Sequence, residues 1–191
     1  MQLLSPWFIT KVVFVNCQNM RSLCRSFETG GFEILHLDGL IILETLFEAP
    51  SELVFWNLRE IVIHKCHGMK VLLPLWLLST LQLEVIVVKD CYNMQEIIGS
   101  SEVWLYGEEH SYPFRRFDKL RVLVLKELPN LNSIYSGRLL CDSLEEITVR
   151  DCPQLTRIPI AISPSLKKIE VDPESLLNTV DNVPRDCFLF W

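Results

Sequence analysis

Apolar residues recur along this chain in a fixed order. A leucine-like residue is followed by others at +3 and +5, and a further set follows at +8, +11 and +14. The clearest copy is Leu144, Ile147, Val149, Cys152, Leu155 and Ile158. The frame also starts at Ile9, Phe32, Leu58, Leu83 and Leu120, and a half copy closes it at Leu166, Ile169 and Val171. Apolar residues at +3 and +5 enclose a single outward residue, the alternation of a half-buried strand. Each copy therefore predicts one short strand, the first over Lys11–Val15. Pairs such as Ile61/Ile63, Ile86/Val88 and Ile147/Val149 point inward.

One such strand cannot bury its own apolar face, whereas parallel stacking at about 4.8 Å lets successive copies cover one another. Successive starts fall in the roughly 20–29-residue window of leucine-rich repeats, except for the longer step from Leu83 to Leu120. The expected fold is an α/β solenoid, a leucine-rich-repeat horseshoe. A parallel sheet of about seven short strands forms its concave face, and its convex returns are mostly irregular. The array is expected over residues 1–172 and a cap or tail over 173–191. An insertion loop over 99–116 is broken by the apolar Val103–Tyr106. Pro74–Leu81, with a proline at its start and Leu75, Leu78 and Leu81 on one face, predicts a short convex helix.

The frame also fixes which residues face outward on the concave sheet. The first outward column is Lys11, Ile34, Glu60, Val85, Val122, Glu146 and Lys168. The second is Val13, His36, Val62, Val87, Val124, Thr148 and Glu170, and the third is Val15, Asp38, His64, Lys89, Lys126, Arg150 and Asp172. Val85, Val87, Val122 and Val124 make an apolar square joined by Val62. Beside it Lys89, Lys126 and Arg150 form a basic ladder that ends at His64. Like charges on adjacent strands repel unless something acidic meets them, and an apolar patch rimmed by charge resembles a protein contact surface; the alternative is that valine simply suits a strand and the lysines solvate an exposed sheet. These nine residues are the candidate protein-binding site.

Composition narrows the alternatives. The 191-residue chain is 49% hydrophobic, yet its longest apolar run, Val71–Leu78, contains Pro74 and is far short of a bilayer span. A net charge of −6 argues against general nucleic-acid binding. Four of the seven cysteines, Cys17, Cys66, Cys91 and Cys152, occupy the +8 position that Leu40 and Leu128 fill elsewhere. They act as small buried apolar residues and are expected to be reduced. Met1–Pro6 lacks the features of a secretory leader, so the chain is expected in the cytoplasm.

No phosphate-binding glycine loop and no G-x-S-x-G elbow occur. His64, Cys66 and His67 are the nearest approach to a metal-ligand cluster, but alternation turns His64 outward and Cys66 inward. Cys24, Cys141 and Cys187 have no adjacent histidine base. No catalytic, metal or cofactor residue is assigned, and the chain is expected not to be an enzyme.

The segments Leu144–Leu155, Leu83–Ile98 and Leu120–Leu131 resemble the repeats of plant intracellular disease-resistance receptors of the coiled-coil, nucleotide-binding, leucine-rich-repeat type. The first two carry Asp-Cys after the strand, and the third is the Leu-Pro variant. The long loop ahead of the third is similar as well. The resemblance implies a ligand-sensing and autoinhibitory module at the C-terminal end of such a receptor. Its partner would be a pathogen effector, a guarded host protein or the receptor's own nucleotide-binding domain. The chain is expected to be a fragment lacking that domain, so nucleotide binding is carried to none of its residues. Substrate-recognition repeats of an F-box-type ubiquitin ligase, or a nonfunctional truncated remnant, are the alternatives.

Overall fold

The computed structural model describes residues 10–23, 32–46, 57–78, 82–99, 114–162, 164–180 and 188–189. Seven strands begin where the repeat frame puts them: β1 (Lys11–Val15), β2 (Ile34–Asp38), β3 (Glu60–His64), β5 (Val85–Lys89), β8 (Val122–Lys126), β10 (Glu146–Arg150) and β12 (Lys168–Val171). They pair in parallel in that order, and β13 (Phe188–Leu189) adds an eighth strand beside β12. The repeat did not signal β13, because no L-x-x-L-x-L frame precedes it.

Register is uniform across the sheet. Leu35, Ile61, Ile86, Leu123, Ile147 and Ile169 are successive Cα partners, and each is at most 1% exposed. This is the single interior column that the +3 positions require. Leu37, Ile63, Val88, Leu125, Val149 and Val171 form the second. In β1 the equivalent Val12 and Phe14 are only partly buried against the core.

A recurrent backbone device turns the chain inward after six of these seven strands, all but β12. The next residue is left-handed at Asn16, Gly39, Lys65, Asp90, Glu127 and Asp151, with φ between 51 and 70°. Gly39, Lys65, Asp90 and Glu127 also extend the ladder, their N–H groups donating to the carbonyls of His64, Lys89, Lys126 and Arg150 at 3.0–3.2 Å. A turn follows at once. The N–H groups of Leu43, Met94, Leu131 and Leu155 donate to the carbonyls of Leu40, Cys91, Leu128 and Cys152 at 3.1–3.2 Å. That bond brings the +11 side chain back into the core, which is why Leu43, Met69, Met94, Leu131 and Leu155 are all buried.

The returns are more ordered than the expected irregular segments. β4 (Val71–Pro74) pairs with β6 (Glu96–Gly99), while β7 (Phe114–Arg116), β9 (Arg138–Cys141) and β11 (Ile160–Ile162) form a second short parallel sheet. The helix expected over Pro74–Leu81 is a correction. Backbone groups up to Pro74 are committed to the β4–β6 ladder, and among the described residues of that segment Leu75–Leu77 form a turn of 3-10 helix. No α-helix occurs among the described residues; a second 3-10 segment, Glu174–Thr179, buries Leu176 after β12.

Gly99 closes β6 and Phe114–Arg116 form β7. The intervening residues of the expected insertion, with Val103–Tyr106, lie outside the described residues, as do Ile9, Cys24, Leu81 and Cys187.

Candidate functional site

All nine candidate residues stand on the outward side of the large sheet, in the columns that the frame assigns. Val85 pairs with Val122, Val87 with Val62 and Val124, and Lys89 with His64 and Lys126. The five valines are half-buried side by side on β3, β5 and β8 and carry no polar atom. They form a continuous apolar floor spanning about 10 Å across three strands.

The polar neighbours of this floor are bonded to one another. On β2 and β3, His36 Nε2 lies 2.7 Å from Glu60 Oε1, and His64 Nδ1 lies 2.9 Å from Asp38 Oδ1. On β10 and β12, Lys168 Nζ meets Glu146 Oε1 at 2.6 Å and Glu170 Oε2 at 3.8 Å, and Arg150 pairs with Glu170. The Glu146 carboxylate holds the Lys168 ammonium above its ordinary range. These side chains cover Thr148, which is 1% exposed although it faces the concave side. The floor thus lies between two walls whose polar side chains are bonded to one another.

The basic ladder read from the sequence is in register, and two of its members have carboxylate partners. Arg150 is drawn across its strand to Glu170, and His64 is held by Asp38. Lys89 and Lys126, on adjacent strands, make no ion pair among the described residues. Of the four residues of that ladder, Lys89 and Lys126 are the two without an ion-pair partner among the described residues.

Cys66 cannot join His64 and His67 around an ion. Cys66 is buried, its thiol donates to the His64 carbonyl at 3.5 Å, and His67 stacks on Tyr92 with ring centroids 4.4 Å apart. Among the described residues no cluster of three or more His, Cys, Asp or Glu side chains could hold a metal.

The repeat geometry has a counterpart among known proteins. A family model described as plant disease resistance protein RPS2-like, leucine-rich repeats, matches residues 33–171. The chain belongs to this family. Two relatives from Arabidopsis thaliana show how much of an RPS2-like protein is present. Disease resistance protein RPS5 is 34% identical over 113 residues, which are 59% of this chain and 12% of RPS5. Disease resistance protein UNI is 34% identical over 121 residues, 63% of this chain and 13% of UNI. The chain thus spans only 12–13% of the length of these relatives. No solved structure matches it.

Two features of the RPS2-like repeats escaped the sequence reading. One is an alternating charge ladder at the residue before each strand of the large sheet from β2 to β12. Arg59 Nη1 bonds Glu84 Oε1 at 2.8 Å, Arg121 Nε bonds Glu145 Oε1 at 3.0 Å, and Lys167 Nζ bonds Glu145 Oε2 at 3.0 Å. Hydrogen bonds from Arg121 and Lys167 hold the Glu145 carboxyl below its ordinary range. The signal was present: that column alternates as Glu33, Arg59, Glu84, Arg121, Glu145 and Lys167. The other is a groove of about 550 Å³ along the edge where strands end, lined by Tyr92, Glu127, Pro129, Asp151, Pro153 and Asp172 among others. It holds none of the nine candidates, and no period in the sequence marks it.

The cysteine column behaves as a set of buried apolar residues with a pH signature. Burial pushes the Cys66 and Cys152 thiols up to about 11 and those of Cys91 and Cys141 to about 12, against an ordinary 9.0. The unfolded chain ionises these thiols first, so stability is complete below about pH 9 and falls as pH rises toward 11–12. Urea midpoints measured at about pH 8 and about pH 10 should show this loss, and Cys91→Val should reduce it. An identical pH dependence in the variant would refute the assignment.

Proposed function

We propose that this chain is the ligand-sensing and autoinhibitory repeat module of an intracellular plant immune receptor. It acts in the cytoplasm by binding protein on its concave sheet, and it catalyses no reaction. Membership of the disease-resistance repeat family supports the defence role, and it favours a receptor over a ubiquitin ligase. The carrying observation is the five-valine floor, left bare while the polar side chains on both flanks satisfy one another. A solvated sheet face has no need of a contiguous apolar patch at its centre. Partners would be an effector, a guarded host protein or the receptor's own nucleotide-binding domain. Among the described residues no helix is long and apolar enough to cross a membrane.

A photo-cross-linking residue at position 87, expressed in plant tissue, should capture a protein partner that the same group at the exposed Thr156 does not. Titration of that partner against Val87→Arg/Val124→Arg should then show at least about tenfold weaker binding. Equal affinity for variant and parent would remove the concave face from the mechanism.

A further inference from the structure

The placement of charge around the floor specifies what kind of partner fits it, an inference that rests on the concave-face reading above. Lys89 and Lys126 are neighbours in register at one edge of the valine floor, and their backbones are hydrogen-bonded through adjacent strands. At the matching position on the strands to either side, the side chain already has a carboxylate partner: His64 bonds Asp38 on one flank and Arg150 pairs with Glu170 on the other. At the opposite edge of the floor, Glu84 and Arg121 belong to the alternating ladder with Arg59 and Glu145. Among the described residues of β3, β5, β8 and β10, Lys89 and Lys126 are thus the concave-face cations without an ion pair, and they stand side by side next to five valines.

We propose that the concave face binds an acidic–apolar protein segment. Its apolar side chains cover Val62, Val85, Val87, Val122 and Val124, and its carboxylates sit against the paired Lys89 and Lys126. Strand spacing sets the two lysine backbones about 4.8 Å apart, close enough for one carboxylate, or two on neighbouring residues, to answer both. A basic segment would meet uncompensated repulsion there. A wholly apolar one would leave the two lysines crowded together in an environment of lower dielectric, where their repulsion grows. A partner chain must also fit between the two ion-paired walls, so it lies over β3, β5 and β8 and leaves β12 untouched. Because the charge contact is at a rim, its share of the affinity weakens as salt rises.

The test uses the full chain and a displayed library of random peptides as the probe. Peptides selected on the parent chain should be enriched in Asp and Glu next to Leu, Ile, Val or Phe. Their affinity should fall at least about tenfold in Lys89→Glu/Lys126→Glu. It should change by no more than about twofold in Lys70→Glu, an exposed reversal on a return segment outside the concave sheet. Selection repeated on Lys89→Glu/Lys126→Glu should yield basic–apolar peptides instead, a positive readout that a misfolded variant could not give.

Peptides that lose binding in Val87→Arg/Val124→Arg but are not acidic, or that ignore the lysine reversal, overturn the partner chemistry and leave the concave-face reading standing. Peptides indifferent to Val87→Arg/Val124→Arg overturn both. Failure of any peptide to enrich also counts against the proposal.

Discussion

Truncating Ile86 to alanine is expected to destabilise the protein by about 2–5 kcal/mol. Ile86 is 1% exposed and lies in register between Ile61 and Leu123, so both neighbouring turns lose packing when its branched chain is removed. In a solenoid each turn contacts only its neighbours, and the resulting cavity cannot be filled from elsewhere in the core. The loss should appear as a lower urea midpoint. Amide exchange should accelerate most in β3, β5 and β8 and least in β12. A change of under about 0.5 kcal/mol, the size of an ordinary surface substitution, would show that the interior column does not hold the stack together.

Gly68→Ala is expected to cost about 1–3 kcal/mol, the range for overpacking. A methyl group there would stand 2.9 Å from the carbonyl carbon of Ile42 and 2.9 Å from the Leu43 oxygen. Both are backbone atoms of the preceding turn, so no side chain can swing away to relieve the contact. The repeat frame by itself gives the opposite expectation. Gly68 stands two residues after Cys66, where other copies carry Ile42, Asn93, Asn130 and Gln154. Replacing a glycine at a position that tolerates side chains should stabilise by restricting the unfolded chain. Thermal unfolding of Gly68→Ala beside Asn93→Ala separates the two expectations: only the glycine variant should melt earlier. Equal melting of the pair would mean that the turns separate at that point without cost.

Much of the fold was legible because its controlling features are local. Alternation along each strand assigned Ile61, Ile86, Leu123 and Ile147 to one column, and parallel stacking at constant register followed from the repeat. The exchange of cysteine for leucine at the +8 position correctly marked Cys66, Cys91 and Cys152 as buried, whereas Cys17, on the turn after the edge strand β1, is only partly buried. The returns were less legible. Whether Val71–Pro74 becomes helix or strand depends on Glu96–Gly99 lying alongside to pair with it, and nothing in the Pro74–Leu81 sequence states that. Left-handed backbone at Lys65 and Glu127 was hidden for a similar reason. Neither residue type favours that conformation, and the stacked ladder imposes it.

The order of the concave columns, and the valine floor within them, followed from the sequence alone, since period-two alternation and a fixed repeat leave no freedom in which side chains face out. Which of the outward charges stay available was decided only by tertiary structure. His64 and Arg150 stand in the same repeat column as Lys89 and Lys126. Only the first two have a carboxylate within reach among the described residues, Asp38 across one strand pair and Glu170 across another. Ion pairing depends on side-chain reach between residues 20 or more positions apart, a distance that the stacking of turns sets and the local sequence does not contain.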